Sequence, residues 1–366
     1  MRFVLALLLF SGFAHAADIS DPTQFMFVGD RKENVIDVIS LKSADVVHQI
    51  ETSIRPDHII ATPFAPILMY ADIEAHKIVF YNLDEQKEWN TVELPIAPRH
   101  AVLDTTGAKI ALSDDVDGGF VLIHAYKRDI EFALTDFPAT ADVLFDPNDV
   151  DIYYSNDATG SLGLLDMNTQ RTYEMPLGEE GAMHLSPPSR SLDARYVYVS
   201  NIASGEVYSL NAYSQVIFNT FDIGGKPARP YTTPQGAFLY LMDEESGNFI
   251  SIVQNQFAEY ATAEFDKGVD LVTVGEFDRM NLFLSTQHKH WYIFDNVRKE
   301  VVKRGEFKGQ PIGALGAADG KTAYVAFSDA PEIAIVDLGS GEVDLAPATS
   351  NGSRSFTIGL SNNVCH

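Results

Sequence analysis

Residues 196–201 read YVYVSN, an alternating run of aromatic and β-branched side chains that ends in a small residue and a turn former. Ser204-Gly205-Glu206-Val207 follows and opens a second run of the same character. Period-2 alternation bounded by Gly, Asn and Asp is the signature of short antiparallel strands joined by tight turns. The same pattern recurs along the chain as FMFVGD (25–30), ILMYAD (67–72), IALSDD (110–115), IYYSND (152–157), FLYLMD (238–243), LFLSTQ (282–287) and AYVAFSD (323–329). Second strands follow, among them KIVFYN (77–82), GLLDM (163–167), EVYSL (206–210) and EIAIVDL (332–338). A weaker third strand and an extended lead-in complete each unit, as in GKPARPYTT (225–233).

Eight units of four short strands, repeating at roughly 42 residues, predict an all-β fold, an eight-bladed β-propeller of four-stranded blades. One blade cannot bury both of its faces, so neighbours must stack and the ring must close. The ends of the sequence predict how. The first copy has no innermost strand before it, whereas RSFTIGL (354–360) is an innermost strand with no successor. Pairing this C-terminal strand with the N-terminal three gives the eighth blade.

YVYVSN with its Ser-Gly-Glu-Val continuation, and Gly224-Gly225-Lys226-Pro227-Ala228, resemble the YVTN family of exported bacterial propellers. The resemblance covers nearly the whole mature chain. It implies the propeller fold and leaves function open, because the fold hosts unrelated activities.

Residues 1–16 read as a secretory signal: Arg2, an apolar run over 3–10, and Ala14-His15-Ala16 as a small-x-small cleavage site. The expected product is one propeller domain, residues 17–366, in the periplasm or at the cell surface, with no membrane insertion and a monomeric state. Cys365 is the single cysteine, so stability must come from the packed core and not from internal disulfides. Lysine and arginine number 26 against 51 acids, a net charge of −25. Such a balance argues against nucleic-acid partners and favours cations or basic partners.

Counting blade to blade at 42 residues places His58, His100, Asp142 and His184 at one register, the start of the innermost strand, with Arg229 in the following unit. That position lines one mouth of the central channel. Imidazoles and a carboxylate are ligands for zinc, copper or iron. The expectation is therefore a non-enzymatic, exported binder of a transition metal ion, zinc first and copper second, that stores the ion or hands it to a periplasmic metal-transport partner. The hairpins between the second and third strands emerge on the same face and carry many acids together with His288 and His290 (QHKHW), a further candidate pair of metal ligands. DDVDGG (114–119) lacks the spacing of a calcium-binding EF-hand loop and reads as a hairpin. Cys365-His366 is expected to leave on the opposite face.

Two further likenesses carry alternatives. The aligned histidines resemble those expected of periplasmic zinc-chaperone propellers, although no His-rich tract is present. Eight blades is also the count of the haem d1 propellers of cytochrome cd1 nitrite reductases. That likeness implies haem as cofactor, with His58, His100 or His184 as an iron ligand and Arg229 pairing a propionate. A third alternative is an interaction scaffold whose acidic face docks a partner protein. No nucleophile elbow, phosphate loop, CxxCH or dinucleotide motif occurs.

Overall fold

A computed structural model describes residues 17–178, 181 and 183–360. The expected signal segment and Cys365-His366 lie outside the described residues. Eight antiparallel sheets of four strands each form the ring. Blade 1 combines strands Phe25–Asp30, Val35–Ser40 and Val46–Glu51 with the C-terminal strand Ser353–Ile358. Blades 2 to 8 span residues 58–93, 100–134, 144–176, 189–222, 231–264, 271–306 and 311–347. No helix among the described residues is long and apolar enough to cross a membrane.

Burial follows the position of each strand within its blade. Second strands such as Ile67–Asp72 and Tyr196–Asn201 are buried throughout, because neighbouring blades cover both of their faces. Outermost strands such as Glu300–Glu306 are mostly exposed or half-buried. The core lies between blades. Met69, Ile78 and Phe80 of blade 2 pack against Ile110, Leu112 and Val121 of blade 3. Across the ring closure, Met26 and Val28 pack with Ala326 and Ile333. Each of these side chains except Ala326 contributes about 1.5–3 kcal/mol on burial.

The Asp or Asn that ends most repeats is a turn cap. Asp72 accepts from the backbone N–H groups of Glu74 and Ala75, each at 2.9 Å, and of Arg55 at 3.1 Å. Asp243 does the same with Lys226 (2.7 Å) and Glu245 (2.9 Å). One carboxylate thus ties a hairpin to the lead-in of its own blade, and part of the acidic composition is spent inward. Some strands stop short of the sequence repeat and others run through the capping residue, as Ile67–Asp72 does. Strand Lys109–Ser113 ends before Asp114, whose carboxylate caps Val116 and pairs with Arg99.

The hairpin between the third and fourth strands supplies a second ruler. One residue there has positive φ in every blade: Ala44, Gln86, Arg128, Gln170, Gln215, Phe257, Lys299 and Gly341. The spacing is 42 throughout except between Gln170 and Gln215, where it is 45. Three extra residues therefore enter between blades 4 and 5.

Candidate functional site

Those three residues decide which side chains share the channel mouth. The residue just before the mouth position donates its backbone N–H to the second strand of its own blade. The pairs are Asp57 to Ala71, Arg99 to Ser113, Ser186 to Ser200 and Ala228 to Met242. Serine hydroxyls clamp successive blades in the same register: Ser113 Oγ to the Ala141 carbonyl (2.9 Å), Ser155 Oγ to that of Ser186 (2.6 Å) and Ser200 Oγ to that of Ala228 (2.6 Å). The mouth positions are thus His58, His100, Asp142, Pro187 and Arg229. Strand pairing continues the ring through Leu271, Gly313 and Ser355. His184 does not occupy the register expected of it. It lies three residues ahead, where its Nδ1 meets Asp157 Oδ2 at 2.9 Å on the exposed surface. The sequence held the warning, since YSN (154–156) and VSN (199–201) are 45 residues apart.

His58, His100, Asp142 and Arg229 do converge. His100 Nδ1 lies 3.3 Å from Asp142 Oδ1, and its Nε2 lies 3.2 Å from Asp115 Oδ2 on the adjoining hairpin. Arg229 reaches back over blade 5 to Asp142 Oδ2 (3.2 Å) and donates to the Pro188 carbonyl (2.8 Å). Burial works against the charged form of His100, but the Asp142 and Asp115 carboxylates outweigh it and raise its pKa. Burial likewise pushes the Asp142 carboxyl up, and His100 with Arg229 more than reverses that, leaving it lowered.

His58 behaves differently. Burial lowers its pKa, with the His100 charge adding to the effect, so its neutral form is favoured. The Arg99 backbone acts the other way on its pKa without reversing the shift, and the His58 Nε2 is buried with no hydrogen-bond partner. A buried imidazole nitrogen without a protein partner is a candidate metal ligand once it is uncovered.

Arg229 also lines a cavity of about 510 Å³, together with Arg190, Tyr231, Met242, Asp270, Leu271 and Val272 among others. Sequence reasoning did not single out Arg190. Its Nη1 is buried without a hydrogen-bond partner, and Asp146 and Asp149 act on it only at longer range. His288 and His290 sit on the second-to-third-strand hairpin of blade 7 with ring centroids 6.2 Å apart, and His290 faces Glu306 at 3.5 Å. They make no contact with the channel-mouth cluster. Among the described residues, no group of three or more His, Cys, Asp or Glu side chains is arranged to hold a metal ion.

Fold and site together define an eight-bladed β-propeller with a polar arc of imidazole, carboxylate and guanidinium at its mouth. No family model matches the sequence, and no curated protein matches it. Solved structures do. The chain is similar to dihydro-heme d1 dehydrogenase NirN in complex with DHE (TM-score 0.76, 14% identity, 94% of this chain and 77% of that one). It is also similar to the Myceliophteria thermophila Cps50 (Swd1) β-propeller domain (TM-score 0.58, 10% identity, 78% and 94% covered). A third likeness is Kuenenia stuttgartiensis hydrazine synthase (TM-score 0.56, 13% identity, 80% and 95% covered). At these identities the likeness carries the fold.

Proposed function

We propose that this propeller is an exported binder of an iron macrocycle of the haem d1 type, held in the channel with His58 as the single protein ligand. The observation that carries this reading is the buried, neutral His58 with an unpartnered Nε2. A bare zinc or copper ion needs three or four protein ligands. Here His100 is engaged at both ring nitrogens and Asp142 is held by His100 and Arg229, which leaves one imidazole at hand. A macrocycle brings four nitrogens of its own and asks the protein for one or two more.

The residues fit such a group. Arg229 and Arg190 line the cavity and offer cations to its carboxylates, and His58, which lies outside that lining, would turn its Nε2 out of its buried position to reach the iron. When bound, the group would supply redox-active iron; the chain supplies position, charge and the His58 imidazole. The NirN likeness, whose own complex is with DHE, favours this reading over the alternatives. The test is titration of the purified protein with ferric haem d1 and ferric haem b. A Soret band shifted from that of the free haem, and altered by His58→Ala but not by His184→Ala, is expected. The absence of any shifted Soret band for either haem overturns the reading.

A transition ion taken by His58, His100 and Asp142, which follow one another on consecutive blades, is the second reading, and it requires the three to rearrange, since no such group is in place among the described residues. It requires His100 to give up a proton that Asp142 and Asp115 help it keep. Equilibrium dialysis with elemental analysis separates the two readings. Stoichiometric zinc or copper, lost in His100→Ala, supports the ion.

A further inference from the structure

At the far ends of the strands from the channel mouth, blades 7 and 8 enclose a depression of about 440 Å³. Arg279, Arg298, Lys303 and Lys321 line it, with Glu276 and Asp295 as its carboxylates. The Asp295 carboxylate is already used by the backbone N–H groups of Val297 (2.8 Å) and Arg298 (3.1 Å) and lies 3.7 Å from Arg298 Nε. Among the described residues, Arg279, Lys303 and Lys321 have no carboxylate within 4.0 Å. The lining of the depression thus holds four cations against two carboxylates, in a chain of net −25.

The loop bearing Glu276 and Arg279 is unusual in its own right. Phe277 and Asp278 both lie in the left-handed region, at φ 53° and 55°, where each non-glycine residue costs about 1–2 kcal/mol. Buried contacts hold it there: Asn281 Nδ2 and Asn296 Nδ2 donate to the Asp278 carbonyl at 3.3 and 2.5 Å, and Glu276 N–H donates to the Gly320 carbonyl of blade 8. The result is a phenylalanine 76% exposed on the loop that supplies Glu276 and Arg279 to the depression. Strain maintained to present an aromatic ring to solvent is a mark of a binding loop.

We propose that this depression binds a phosphate-bearing anion, with the phosphoryl oxygens taken by Arg279, Arg298, Lys303 and Lys321 and the ligand's less polar part against Phe277. Several cations around one small concavity suit a compact multivalent oxyanion, which Arg takes in a fork and Lys as a point charge. The source is either a free phosphate compound or a phospholipid headgroup.

Full-length protein is tested in two arms. Calorimetric titration with inorganic pyrophosphate reports the free anion. Flotation with phosphatidylglycerol–phosphatidylcholine vesicles, against phosphatidylcholine alone, reports the headgroup. Saturable binding in at least one arm is expected, weakened tenfold or more in Arg279→Gln/Lys303→Gln/Lys321→Gln and unchanged in His58→Ala. Phe277→Ser, which leaves every cation in place, is expected to weaken the vesicle arm more than the pyrophosphate arm. Circular dichroism melts of the variants confirm that they fold. Binding in neither arm, or binding that the triple variant leaves intact, overturns the proposal.

Discussion

Asp30 and Asn351 stand 321 residues apart in the chain, yet the carboxylate of one accepts the backbone N–H of the other at 3.1 Å. The same Oδ2 accepts from Ser350 N–H, also at 3.1 Å, and Oδ1 caps Lys32 and Glu33. Nearby, Arg354 Nη1 pairs with Asp57 Oδ1 at 2.7 Å. The ring is thus locked by charge-assisted bonds as well as by the antiparallel pairing of Phe25–Asp30 with Ser353–Ile358.

Asp30→Ala removes a buried acceptor from four backbone donors and is expected to destabilise the fold by about 2–3 kcal/mol. Burial pushes the Asp30 carboxyl up, but its hydrogen bonds prevail and leave the folded pKa below 3.8. A depressed folded pKa contributes stability that is present above the ordinary carboxylate range and lost as pH falls through the folded value. Urea melts from pH 6 down to pH 2.5 should show a shallower acid loss in Asp30→Asn than in the wild type. Parallel acid limbs would remove Asp30 from the account.

Neighbouring imidazoles at the mouth should titrate in opposite directions from 6.5. His100, raised, contributes stability that is full below its unfolded pKa and lost as pH rises through its folded value. His58, lowered, contributes stability present above its unfolded pKa and lost as pH falls through its folded value. Two-dimensional NMR of the histidine ring protons measures both. Changing Asp142 to Asn should bring His100 down, and an unmoved His100 curve would contradict the assigned cause.

Gln170 and Gln215 occupy left-handed positions at φ 58° and 56° in exposed hairpins. Glycine there relieves a conformational cost and gives back part of it as chain entropy, for a net gain of about 0.5–1 kcal/mol per site. The two sites share no partner, so the double variant should show the sum in denaturant melts.

Gly163 pairs across strands with Tyr154, and a Cβ at Gly163 would lie 2.0 Å from Tyr154 Cζ. Gly163→Ala should therefore cost about 1–3 kcal/mol through overpacking. Combining it with Tyr154→Leu should recover most of that loss, and a purely additive double variant would point to a backbone cause instead.

The blades were legible in the sequence because each strand repeats its own alternation and because closure demands an innermost strand without a successor. His58, His100 and Asp142 were legible because blades 2 to 4 keep a constant length. His184 was misplaced because counting by 42 passes over the three residues added before blade 5, whereas hydrogen bonding follows the strands. Arg190 stayed hidden because a lone arginine in a short innermost strand, Ser189–Arg190, carries no pattern. Nor could sequence reveal that His58 is the imidazole with an unpartnered nitrogen, since that depends on burial.

The pairing of Met26–Asp30 with Ser353–Ile358 also sets an order of events in biosynthesis. Until the last strand is made, the first blade has a bare inner edge and the assembly is an open arc. Such a chain exposes a row of unpaired backbone groups to its neighbours until residues 353–358 have been made. Maturation should therefore be slow and sensitive to late truncation, with a helper protein most useful at the final step.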